Sequence, residues 1–283
     1  MRKAPQKKSP ISSLTLPALL AVLIVACIVA VGKSDILHGS EEAPPGKVDG
    51  AVKHFDGMEQ TLLPAGTTSQ IIDYKGYTVS FNADNGTPNY AAWELLGTET
   101  DGPVSRSNRF WTDEKLNGCP DTKDYTRSGF DRGHLCPAAD MKWSAQSMED
   151  CFSMANMCPQ AHSLNAGAWK TLEEKERLWA KRDSALVIVA GPIYQPDDKL
   201  RIGNSGVRVP SSFFKVIIAP YLCEPRGIAF IYPNDRCPGN MKNYMVTIDE
   251  VERITGYDFF YRLPDEIEDQ IEAKSSFKAW EKY

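Results

Sequence analysis

An α+β fold, with helices flanking a mixed and largely antiparallel central sheet, is what this sequence predicts. Three observations carry the expectation. Short strand-like runs are separated by turn residues, helical spacing appears between two groups of such runs, and the types interleave without a regular βαβ period. With 283 residues and 42% hydrophobic content, the chain can bury a full core.

The folded part is expected to start at about residue 69. Residues 71–74 and 77–81 alternate like strands and are split by Lys75-Gly76, a two-residue turn, and 91–96 continue as another strand. Residues 125–130 are strand-like and lead towards His134. Helical spacing covers 145–154 and 166–182, whereas 186–190 form a fully apolar strand ended by Gly191-Pro192. Residues 212–219 and 227–232 are further strands, and 247–255 read as a short helix stopped by Gly256. No internal repeat is visible.

Two segments precede this domain. Residues 1–33 carry Arg2, Lys3, Lys7 and Lys8 ahead of an almost unbroken apolar run from Leu14 to Gly32, close to the roughly 20 residues a membrane-spanning helix needs. The basic flank favours a cytoplasmic N-terminus, which puts everything after Lys33 outside. Three fates stay open: an uncleaved signal anchor, cleavage after Ala30-Val31-Gly32, or a lipid-modified Cys27. All three export the domain, either anchored to the membrane through this segment or released to the periplasm or medium. Residues 34–68 are rich in Gly, Pro and Ser and read as a flexible linker. The domain of 69–283 ends in an acidic tail with Asp265, Glu266, Glu268, Asp269 and Glu272.

Outside the apolar segment there are six cysteines, an even number that suits an oxidising compartment. Of the 15 possible pairings of six cysteines, Cys136–Cys158 and Cys223–Cys237 are favoured by position. Charge argues for caution about nucleic acid. Five of the 32 basic residues and none of the 37 acidic ones fall in 1–33, which leaves 27 against 37 and a net of −10 for the remainder. Nucleic-acid binders are usually basic over their footprint, although a basic cleft can sit on an acidic protein.

Two blocks carry the chemistry. Asp131-Arg132-Gly133-His134 is followed, 31 residues after the histidine, by Asn165 within a stretch that runs from Leu164 to Glu173. His134 follows a glycine that removes side-chain bulk, so a neutral imidazole there can approach a phosphate and take a proton from the attacking water. The other histidines, His38, His54 and His162, have bland surroundings. Asn165 offers a neutral oxygen to Mg²⁺, which prefers oxygen ligands and keeps several waters. On an unbroken helix Glu173 would lie about 12 Å and about 80° from Asn165, within reach of a metal-bound water but outside a shared first shell. Trp169 and Leu172 are expected to pin that helix to the core. Arg132 suits a phosphate oxygen through its planar fork, with Arg106 and Arg109 as a second source of positive charge. A zinc site of His134, Cys136, Cys151 and Cys158 is the competing reading, but it lacks a CxxC pair and would consume the base.

Taken with 106–113, 128–140, 156–160, 190–192, 209–215 and 254–259, these blocks resemble the DNA/RNA non-specific endonucleases with a ββα-metal active site. The resemblance covers residues from about 70 to 262. It implies that His134 is the general base, that Asn165 is the sole direct protein ligand of Mg²⁺, with Mn²⁺ or Ca²⁺ as substitutes, and that Glu173 holds metal-bound waters. It further implies that Asn156 supports the site and that Arg132 and Arg106 contact the phosphates of DNA or RNA, cut to leave 5′-phosphate and 3′-hydroxyl ends. The alternatives are a surface nucleic-acid-binding or uptake module with little activity, and a phosphodiesterase for small nucleotides.

Overall fold

The structure is a computed structural model that describes Gly57 and residues 60–281, all within the compact unit Gly46–Tyr283. The expected membrane segment and most of the linker lie outside the described residues. No helix among the described residues is long and apolar enough to cross a membrane.

One antiparallel sheet of seven strands organises the fold. Its order is Met245–Val246, Arg226–Pro233, Ser212–Ala219, Ala185–Ile193, Thr87–Leu96, Tyr77–Asn82 and Gln70–Tyr74. Ala185–Ile193 is central and buried along its whole length, which explains why it reads as an uninterrupted apolar run. Strand alternation then assigns two cores. Leu186, Ile188, Phe213 and Ile217 point to one face with Trp93, Leu164 and Trp169. Val187, Val189, Phe214 and Val216 point to the other, beneath the helices Ile248–Thr255 and Asp265–Glu272, which contribute Ile248, Val251 and Ile271.

Several elements differ from expectation for identifiable reasons. Thr61–Leu62, inside the stretch read as linker, pairs with Asp258–Phe259 and starts the fold earlier. The acidic C-terminal stretch is a helix that buries Ile271 and Glu272, followed by Phe277–Glu281 with Trp280 in the core. Residues 125–130 are not a strand, because Arg127 and Gly129 adopt left-handed backbone at φ 59° and 87°. Extended pairing begins at Asp131, so the strand is the motif itself. The helix of 145–154 is capped at its start by Ser144 and ends at Asp150, and Met154–Asn156 form a separate 3₁₀ turn.

Neither favoured cysteine bridge forms, and all six thiols of the domain are free. Gly133 pairs with Cys158 and the Leu135 N–H bonds the Asn156 carbonyl, so Cys136 sits three ladder positions, about 10 Å, from Cys158. Cys223 and Cys237 flank opposite ends of Arg226–Pro233, a strand of eight residues and about 26 Å.

Candidate active site

The site is built on a two-stranded antiparallel ladder in which Asp131–His134 faces Met157–Gln160. Gly133 is required there by the Gln160 side chain on the facing strand: a Cβ at this position would fall 2.4 Å from Gln160 Oε1 and 2.5 Å from its Cβ. The glycine thus lets the two strands close, a different reason from the access to phosphate expected from sequence.

His134, at the strand end, is 8% exposed and lies between two aromatic rings, 4.9 Å from Phe152 in edge contact and 5.7 Å from Phe110. Its backbone carbonyl accepts the Trp169 indole N–H at 3.3 Å, which ties the turn that holds Asn165 to the strand that ends in His134. Burial, helped by the positive charge of Arg106, pulls the imidazole down to about 3. It is therefore neutral at neutral pH. Nε2 is buried and has no hydrogen-bond partner among the described residues, leaving that nitrogen uncommitted.

Asn165 lies in a π-helical turn, Leu164–Trp169, that kinks at Gly167 (φ −107°, ψ −111°) before the α-helix Lys170–Asp183 begins. The straight-helix spacing between Asn165 and Glu173 therefore does not apply. The Asn165 amide nitrogen donates to Asp131 Oδ2 at 2.8 Å, and His162 Nδ1 lies 2.8 Å from the same oxygen. With its nitrogen fixed on a carboxylate, the amide is turned so that Oδ1 is its remaining polar atom. Sequence reading missed both helpers, since Asp131 and His162 act only through a contact with a residue far along the chain.

Glu173 is in the first turn of Lys170–Asp183 and half-buried. Burial raises its carboxyl to about 7, partly countered by Lys215. Lys215 is fully buried, donates to Glu176 at 3.2 Å and stands 4.3 Å from the centre of the Trp169 ring. Nearby, fully buried Asp140 accepts from Arg177 at 3.0 Å and from the Trp93 indole at 3.2 Å. This buried charge network fastens the helix carrying Glu173 to the sheet, and nothing in the local sequence announced it. Trp169 and Leu172 are fully buried, as their spacing predicted.

The other expected residues divide by role. Arg132 donates to the Thr122 carbonyl at 2.5 Å and covers the Phe110 and Tyr125 rings, with its Nε buried and unpaired. Arg106 is exposed and packs its guanidinium over Phe152 at 5.1 Å. Arg109 is exposed and pairs loosely with Glu149 at 3.8 Å. Asn156 is fully buried and bonds only backbone with its side chain: it accepts from the Cys136 N–H at 3.0 Å and donates to the Cys136 and Cys151 carbonyls at 2.8 and 2.9 Å. It is a structural clamp on the loop that leaves His134. The zinc alternative finds no support, because His134, Cys136, Cys151 and Cys158 do not converge on a common point among the described residues.

A sequence model of the DNA/RNA non-specific endonucleases matches residues 56–266, most of the chain and all of this site. The chain belongs to that family. Among family members, a nuclease from Nostoc sp. is 32% identical over 273 residues, covering 91% of this chain and 96% of its own. A mitochondrial nuclease of Saccharomyces cerevisiae is 38% identical over 186 residues, covering 57% of this chain and 56% of its own, and mitochondrial endonuclease G of Homo sapiens is 36% identical over 149 residues, covering 47% and 49%. The chain thus spans about half the length of these mitochondrial members and nearly all of the Nostoc nuclease. A solved structure of the EndoG/EndoGI complex superimposes with a TM-score of 0.65 at 28% identity, covering 69% of this chain and 87% of that one. The expected α+β class, with its large antiparallel sheet, matches the architecture of this family.

Proposed function

We propose that this chain is an exported, Mg²⁺-dependent endonuclease that hydrolyses phosphodiester bonds of DNA and RNA and leaves 5′-phosphate ends. The observation that carries the reading is His134: a buried, neutral imidazole set between the arginine-covered rings of Phe110 and Phe152 and tied through its backbone to the turn that carries Asn165.

The donor set fits one hard divalent cation. Asn165 Oδ1 is oriented by the bond of its own amide to Asp131, and the half-buried Glu173 carboxylate is available to hold water around the ion. Bound there, Mg²⁺ supplies Lewis-acid stabilisation of the charge that develops on the phosphate and the leaving oxygen. His134 accepts the proton of the attacking water through its neutral imidazole. Phe110 and Phe152 hold the imidazole ring in place and exclude bulk water from it. Arg106 and Arg132 lie over these same two rings and place positive charge where phosphate oxygens arrive. Contacts of this kind read the backbone rather than the bases, which accounts for activity on both nucleic acids.

Plasmid nicking by the purified protein tests the reading. Supercoiled DNA should be cut with Mg²⁺, spared with EDTA, and spared by His134→Ala; cleavage undiminished in EDTA or in that variant would refute it.

A further inference from the structure

On the sheet face opposite the nuclease site, three carboxylates meet with no basic partner among the described residues. Asp249 and Glu252 are three residues apart on Ile248–Thr255, which puts them on one side of that helix. Glu272, the last residue of Asp265–Glu272, faces them across the helix pair. One carboxylate oxygen from each of Asp249, Glu252 and Glu272 lies within 4.8 Å of the others. Glu268 adds a fourth charge close by. Ile248, Val251 and Ile271 belong to the same apolar cluster, so the helices are held together by packing that brings like charges into contact.

Glu272 is what separates this group from an ordinary acidic patch. It is 93% buried, being 7% exposed, and its Oε1 has no hydrogen-bond partner. The groups that bear on it most are Glu252, Glu268, Asp249 and Asp258, all acidic. Among the described residues no Lys or Arg pairs with Asp249, Glu252, Glu268 or Glu272; the nearby Arg253 is engaged by Glu250 at 2.7 Å. Glu252 uses one oxygen to accept the Phe259 N–H at 2.8 Å, which fixes its carboxylate and leaves the second oxygen over. A buried carboxylate without a partner must either hold a proton or be given a counter-charge.

We propose that Asp249, Glu252 and Glu272 form a second divalent-cation site, of the Ca²⁺ type, which clamps the two helices together and takes no part in cleavage. Two oxygens that share a Ca²⁺ at 2.3–2.6 Å are at most about 5 Å apart, so the three carboxylates can close on one ion with little movement. Mg²⁺ needs a tighter and near-ideal octahedron with ligands at about 2.1 Å, which this spread of oxygens suits less well. The exposed Asp249 leaves an entry path and room for waters to complete the shell.

The full chain carrying Asn165→Ala, which disables the cation ligand proposed for the nuclease site, is melted across a CaCl₂ titration. The expected result is a rise in Tm of about 5–10 °C once Ca²⁺ exceeds its Kd about 100-fold. MgCl₂ should give a smaller rise. Adding Glu252→Gln and Glu272→Gln to that background should abolish the Ca²⁺ response while leaving a cooperative melt in EDTA, because the amides remove the repulsion. If that pair of substitutions prevents folding, the exposed Asp249→Asn takes its place and should weaken the response. With Asn165 intact, E252Q/E272Q should cut plasmid in Mg²⁺ at the unaltered rate. The proposal is overturned if Ca²⁺ leaves the Tm of the Asn165→Ala chain unmoved, or if the rise persists in full after the carboxylates are replaced.

Discussion

Acidification from pH 7 to pH 5 should weaken the fold through His134, by an amount that follows from its burial. The imidazole has a folded-state value of about 3 against 6.5 when exposed, as in the unfolded chain. Above pH 6.5 both states are neutral and the fold keeps its full stability. Below it the unfolded chain takes up a proton that the folded one refuses, and stability falls by about 1.4 kcal/mol per pH unit until the folded value is reached. At pH 5 the loss from this one residue is about 2 kcal/mol, equivalent to about 4–8 °C in Tm for a domain of this size. Glu173 and Glu176, whose burial lifts each to about 7, act with the opposite sign, since their folded forms hold protons that the unfolded chain releases above about 4.5. A comparison between variants isolates the histidine. Urea denaturation of the wild-type chain and of His134→Gln, each at pH 7 and pH 5 in EDTA, should show the wild type losing about 2 kcal/mol more than the variant. Equal changes in the two proteins would mean that His134 titrates like an exposed imidazole, and the account of a dry, uncommitted base would fail.

Two further outcomes follow from the positioning contacts. Asp131→Ala removes the acceptor that turns the Asn165 amide, so the Mg²⁺ concentration for half-maximal cleavage should rise about 10–100-fold with unaltered circular dichroism; an unmoved Mg²⁺ dependence would deny Asp131 that role. Asn156→Ala strips partners from one buried N–H and two carbonyls at Cys136 and Cys151, with an expected cost of about 2–4 kcal/mol in denaturant unfolding. A loss below about 1 kcal/mol would show that water replaces the clamp.

How far the sequence could be read depended on whether a residue acts alone or through a distant contact. His134, Asn165 and Glu173 stand out because their residue types at that spacing suit one chemistry, and the seven-stranded sheet was foreshadowed by runs whose period and turn residues agree. Asp131 was visible as part of the motif, but its bond to Asn165 spans 34 residues and is made only in the fold. The π turn was hidden because Leu164–Trp169 has ordinary helix formers around a single Gly167. Lys215 sits in an otherwise apolar strand, and only the fold brings Glu176 and two tryptophan rings around it. Tyr125 and Phe130 imitated a strand whose backbone then turned left-handed between them.

The seven-stranded sheet also sorts the molecule's charge. Asp249, Glu252, Glu268 and Glu272 ride on one side of it, while Arg106 and Arg132 are packed around the histidine on the other. A polymer of phosphates nearing this net-acidic molecule meets those two arginines only on the His134 side, while the carboxylates opposite repel it wherever no cation neutralises them. Lower salt, by lengthening the reach of both fields, should sharpen that choice of approach rather than only tighten the grip.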